Sequence, residues 1–270
     1  MTRAADDRRP GLPERLPGRI GRHLLGQEVW LVFALSLGAA GVNALLSFVA
    51  DLTSRAPLSS QTAVLNGSQA PGRPWLDLVL QLTSLVIGVV PVLLVAHLLA
   101  RSGEGIAALG LGLRPRRSDL VRGCVLALVI GGSGLALYLA AHATGVNLVV
   151  VPEALPATWW RIPVLLLSAA QNGLLEEVLV AGYLLHRLRQ LGWSDPRTLA
   201  LSAVLRGSYH LYQGLGGFAG NAIMGLVFGR LYQRWGRVAP LVVAHTLIDA
   251  VAFVGYAALA GHLSWLPSAG

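Results

Sequence analysis

The 270-residue chain is 54% hydrophobic and only 13% charged, whereas about a quarter of the residues in a soluble domain are charged. Its mean hydropathy of +0.61 excludes a disordered, collagenous or disulfide-stapled chain and points away from a soluble enzyme, toward a polytopic membrane protein. The formal charge of +8 comes with 21 basic residues, all arginine. They sit in short segments between apolar runs rather than on one basic face, so no nucleic-acid partner is expected.

In chain order, residues 1–28 form an arginine- and proline-rich tail, expected to be cytoplasmic. A single transmembrane domain follows over 29–262, an all-α helical bundle of about seven spans at 30–50, 78–100, 124–141, 162–185, 199–215, 218–231 and 238–259. Residues 263–270 form a flexible tail rich in serine, proline and glycine. Residues 51–74, between the first two spans, read as turns rather than core. With the N-terminus inside, only Arg55, Arg73 and Arg161 fall in outer segments and Arg206 within a span, while the other arginines lie inside. That asymmetry predicts a multi-pass cell-membrane protein with a cytoplasmic N-terminus. The single cysteine, Cys124, lies in an apolar run and reads as a packing residue. Trp30, Trp159 and Trp160 read as interfacial anchors, and His186 as part of a cytoplasmic rim with Arg187 and Arg189.

The chemistry is confined to the later spans. The fourth places Glu176 and Glu177 side by side in an apolar helix, where ionised carboxylates are costly and mark function. The fifth adds Arg206 and His210, and the seventh His245 and Asp249, each pair four residues apart and hence expected on one helix face. At about 1.5 Å of rise per residue, these groups converge roughly 10–16 Å from the cytoplasmic side. In the sixth span Gly217, Asn221, Gly225 and Gly229 recur every four residues and predict a ridge for close helix packing, across which Asn221 can hydrogen-bond.

The order of these motifs resembles the CAAX prenyl protease and bacteriocin-processing family of intramembrane proteases, also called the Abi family. The family pattern is Glu-Glu-x-x-x-Arg followed by glycine, then Phe-x-x-x-His, then His-x-x-x-Asn or Asp. The corresponding residues run from Glu176-Glu177 to Gly182, from Arg206 to His210, and from His245 to Asp249, within a protease-like core at about 160–260. Two positions depart from the pattern: Ala181 stands where arginine is expected and Arg206 where phenylalanine is expected. One loss and one gain suggest that Arg206 supplies the missing positive charge from the neighbouring span.

The resemblance implies an intramembrane endopeptidase acting on a membrane-associated protein or peptide within the lipid bilayer. On that reading Glu176 is the general base that takes a proton from water, and His210 helps hold the water. His245 and Asp249 complete the site, with Asp249 orienting His245 or carrying a proton itself. Glu177 pairs with Arg206 or assists catalysis. A carboxylate with two histidines, Glu176, His210 and His245, is a donor set for Zn²⁺, and the family is often labelled a metalloprotease. The sequence has no His-Glu-x-x-His motif, however, and a metal-free glutamate mechanism serves equally, so no obligatory metal is expected. The competing classes are a non-catalytic immunity or scaffold protein that keeps the charges for packing, and a proton-coupled transporter. The one-sided placement of the ionisable groups argues against the transporter.

Overall fold

The computed structural model describes residues 21–112, 116–260 and 262. Eight helices make up the bundle: α1 (Arg22–Ala34), α2 (Leu37–Thr53), α3 (Pro74–Arg101), α4 (Arg117–Ala143), α5 (Arg161–Gln190), α6 (Asp195–Ser208), α7 (Leu215–Trp235) and α8 (Ala239–Leu259). Residues 1–20 and 263–270 of the two expected tails lie outside the described residues. Residues 22–28, read from sequence as tail, are already helical in α1.

Among the described residues, α3, α4, α5 and α8 are long and apolar enough to cross a membrane, and α1 with α2 makes a fifth if their 45° bend is one broken span. Four or five helices meet this test among the described residues, so the seven expected spans are not confirmed. The run at 199–215 falls short because α6 has only 14 residues, against about 20 for a bilayer, and it stops at Ser208. The chain then turns through Leu211–Gln213 before α7 begins. The segment expected as turns at 51–74 also holds a strand. β1 (Thr62–Val64) pairs in parallel with β2 (Val149–Val151), Thr62 opposite Val149, in a two-stranded sheet.

The strands mark one end of the bundle. The other end carries Arg101, Arg116, Arg187, Arg189 and Arg237 at helix ends and connectors. The main core lies toward this arginine-rich end, around Leu99, Leu109, Leu179, Phe228 and Leu241. A smaller cluster near the strands packs Trp160, Val164, Leu165 and Phe253. Trp160 is thus core rather than an interfacial anchor, while Trp30 and Trp159 are exposed. Large apolar residues such as Val86 on α3 and Leu128 on α4 point outward, as a bilayer-facing surface requires.

α5 is not uniform. From Glu177 to Leu184 it widens into i→i+5 turns, every residue of which is buried. Such segments leave backbone groups free for other partners and are frequent at functional sites. Here the Val180 carbonyl accepts a hydrogen bond from Ser202 Oγ on α6 at 3.2 Å.

Candidate functional site

Small residues allow α5, α6, α7 and α8 to meet. A Cβ on Gly173 would lie 2.6 Å from Thr246 Oγ1 and 2.9 Å from the Thr246 nitrogen, so α5 and α8 touch main chain to main chain one turn before the paired glutamates. A Cβ on Gly225 would lie 3.0 Å from Ala203 Cα and 3.4 Å from Arg206 Cβ, and this close fit seats α7 against α6 beside the arginine. The ridge predicted on α7 therefore serves the α6 interface. Asn221 does not bond across it, because its amide donates to Gly217 of its own helix at 3.0 Å.

At the centre, Arg206 pairs with Glu177 and reaches Glu176 Oε2 at 3.3 Å through the same guanidinium nitrogen. His245 Nδ1 lies 2.8 Å from Glu177 Oε1 and donates to it. His245 Nε2 faces Asp249 Oδ1 at 3.7 Å, the i,i+4 spacing expected on one helix face. His210 is not on the face of α6, as expected from its spacing, but in the turn beyond its end. Its Nδ1 lies 3.0 Å from the Arg206 carbonyl. A carbonyl only accepts, so Nδ1 carries the proton. Nε2 is left toward Glu176 Oε1 at 4.0 Å.

Burial separates the two glutamates. The Glu177 and Arg206 side chains are 0% and 1% exposed, whereas Glu176, His210 and Asp249 are 12%, 14% and 18% exposed. The last three, with His245, border a cavity of about 1630 Å³. Glu176 sits midway along α5, fifteen residues from Arg161 and fourteen from Gln190.

Two partners carried no sequence signal of charge. Tyr209 donates to Glu176 Oε2 at 2.8 Å, and Asn172 donates to Asp249 Oδ2 at 3.1 Å. Asn172 precedes Glu176 by four residues, so helical spacing alone places its amide on the same face. Tyr209 had no comparable signal, because its position depends on where α6 ends.

The residues do not fit Zn²⁺ on the possible donor set of Glu176, His210 and His245. Among the described residues, no three His, Cys, Asp or Glu side chains converge as a ligand set. The guanidinium of Arg206 stands within 3.3 Å of both Glu176 and His245, where a fixed cation repels a second one. The two nitrogens of His245 are directed to Glu177 and Asp249.

Residues 158–251 match the family described as type II CAAX prenyl endopeptidase, Rce1-like. Over this segment the chain is similar to that family. No curated protein and no solved structure matches the chain. The Rce1-like segment contains Glu176, Glu177, Arg206, His210, His245 and Asp249, so the family match and the buried cluster coincide. Within it Ala181 is buried, and the guanidinium beside the glutamate pair comes from Arg206 of α6.

Proposed function

We propose that this protein is an intramembrane endopeptidase that hydrolyses a peptide bond in a membrane-associated protein or peptide. The observation that carries this reading is the position of Glu176. It is the carboxylate of the pair that faces the cavity, and the nearest histidine turns an unprotonated Nε2 toward it. A water between Glu176 Oε1 and His210 Nε2 can hydrogen-bond to both across their 4.0 Å separation.

In this mechanism Glu176 accepts a proton from that water as its oxygen attacks the carbonyl carbon of the substrate. The proton then passes to the departing amine as the carbon–nitrogen bond breaks. Arg206, Glu177 and His245 hold the base in place from behind. The oxyanion needs a donor, and Asn172 offers an uncharged one, with one amide hydrogen bound to Asp249 and the other available. Asp249 then acts by orienting Asn172 and His245. No step requires a metal.

The test compares new peptide termini in membranes of cells expressing wild type or Glu176→Gln at matched levels of folded protein. Termini found only with wild type support the reading and identify substrates. Identical termini in both would overturn it in favour of a non-catalytic membrane partner.

A further inference from the structure

His210 sits in a turn, and that turn is held from a distant part of the chain. α6 ends at Ser208 and α7 begins at Leu215. Between them run three local bonds, from His210 N–H to the Gly207 carbonyl, from Gln213 N–H to the His210 carbonyl and from Gly214 N–H to that of Leu211. Gly214 stands before α7 with a φ of 104°, a conformation that favours glycine. Glycine has no side chain to cap the free N–H groups of the first helical turn.

The cap comes instead from Asn147, 70 residues away, whose Oδ1 accepts from Gly217 N–H at 3.2 Å. Asn147 is 1% exposed, and it bridges Gly214 main chain to main chain while Leu148 N–H donates to the Gln213 carbonyl at 3.2 Å. The fit leaves no spare room, since a Cβ on Gly214 would lie 2.7 Å from Asn147 Oδ1 and 2.9 Å from its Cα. α2 also packs against Leu211–Gln213, and a Cβ on Gly41 would touch Ser208 Cβ at 3.5 Å. The strand pair joins these two supports. Val149 N–H, at the start of β2, donates to the Gln61 carbonyl at 2.9 Å, and the Gln61 side chain donates to the Asp51 carbonyl in α2 at 3.0 Å. All of these supporting residues precede residue 158, outside the segment that matches the family.

We propose that Asn147 is a positioning residue, which fixes the turn so that His210 faces Glu176, and that the chain before the family-matched segment thereby completes the site. The hydrogen bond from His210 Nδ1 to the Arg206 carbonyl orients the ring, but its place in space follows the turn. The 4.0 Å gap between His210 Nε2 and Glu176 Oε1 admits one bridging water, and a shift of about 1 Å is enough to spoil such an arrangement. The catalytic consequence rests on the peptidase reading; the placement of His210 does not.

The test uses the full-length protein in detergent, with Asn147→Leu, Asn147→Ser and Asn147→Asp compared at matched folding, as judged by unfolding temperature. Leucine cannot accept from Gly217 N–H and serine is too short to reach it. Aspartate keeps the acceptor and favours the positive end of α7. Modification of individual histidines by diethyl pyrocarbonate is followed by mass spectrometry. His210 should be modified several-fold faster in Asn147→Leu than in wild type and near the wild-type rate in Asn147→Asp, while His245, held by Glu177, keeps its wild-type rate in both. An unchanged His210 rate in folded Asn147→Leu, an equal rise at His245, or an Asn147→Asp that behaves like Asn147→Leu would overturn the proposal. If Asn147→Leu does not fold, Asn147→Ser carries the same comparison.

Cleavage of a substrate identified by its termini supplies the second arm. Asn147→Leu should lower kcat by up to about 10²-fold, the scale of a misplaced catalytic group, with KM little changed and with recovery in Asn147→Asp. A rise in KM at constant kcat would overturn the positioning role and make Asn147 a substrate-binding residue of the cavity it borders. If no wild-type-specific termini are found while the histidine pattern holds, the peptidase reading fails and the placement of His210 by Asn147 stands.

Discussion

Two of the buried ionic clusters among the described residues, compared with each other, show what distinguishes a site from a clamp. One is the cavity-facing layer around Glu176. The other lies at the arginine-rich end, where Arg187 bonds Glu104 Oε2 at 3.1 Å and Ser102 Oγ at 2.8 Å, while Tyr183 donates to Glu28 at 2.6 Å. His186 and Gln190 also bond Glu104. His186 and Arg187 are therefore buried in a network joining α1, the end of α3 and α5, rather than forming an exposed rim. Hydrogen-bond saturation does not separate the clusters: Arg206 Nε and Arg187 Nε are both buried without a partner among the described residues. Access does. The second cluster does not line the 1630 Å³ cavity, and its charges hold three segments together; the first presents Glu176, His210, His245 and Asp249 to that space.

Arg206 should show the largest effect because it belongs to both kinds of structure. Arg206→Ala leaves buried Glu177 with His245 but without its guanidinium, which costs up to about 3–5 kcal/mol, and it also removes the cation beside Glu176. Thermal unfolding in detergent and cleavage of a substrate identified by its termini should both fall. Adding Ala181→Arg should restore part of each if the positive charge has moved between helices; a double variant no better than the single one argues against the exchange.

Glu176→Gln and Arg187→Met should separate the two readouts. The first should lower turnover by about 10²–10⁴, the usual scale for a lost general base, with little change in unfolding temperature. The second removes the buried cation between Glu104 and Glu28, which keep His186, Gln190, Arg101 and Tyr183 as partners, and should cost about 1–3 kcal/mol of stability, with turnover per folded molecule preserved. If Arg187→Met instead abolishes turnover in well-folded protein, the line between clamp and site drawn here is wrong.

Much of the first cluster was legible in sequence, because a charge within an apolar run is conspicuous. Glu176-Glu177 and His245-x-x-x-Asp249 stood out for that reason, and helical spacing put the latter pair on one face. The second cluster was not legible. Glu28 and Glu104 lie at the edges of apolar runs, where charge is ordinary, and only the folded chain brings them to Arg187. His210 illustrates a different limit: it lies four positions after Arg206, but the helix ends between them at Ser208, and Gly207 alone, which is itself helical, does not fix that point from sequence. The two strands of three residues are too short for an alternating pattern, and their pairing joins segments on opposite sides of α3 and α4.

A smaller effect should follow from Asn172→Leu, a change within the cavity that removes no charge. If its amide binds the oxyanion, turnover should fall by about 10²–10³, as for loss of one such donor, with the substrate concentration at half-maximal rate little changed. A rise in that concentration at constant turnover would instead make Asn172 a substrate-binding residue. Either result sharpens the contrast, since no neutral residue of the arginine-rich cluster should affect turnover per folded molecule.

The smallest expected effect is the pH response of the clamp. Burial pushes the Glu104 carboxyl up, but the hydrogen bond and charge of His186, with Arg187 and Gln190, outweigh it and hold the group below its ordinary value of 4.5. The folded chain therefore binds this proton less readily than the unfolded chain does. The stability this supplies is fully present above the ordinary value and is lost as pH falls through the lowered one. Unfolding temperature measured from pH 6 down to pH 3 should decline, and Glu104→Gln should reduce the decline, because the amide has no proton to take up in this range. An identical decline in both proteins would mean that Glu104 is not the group that loosens this end of the bundle in acid.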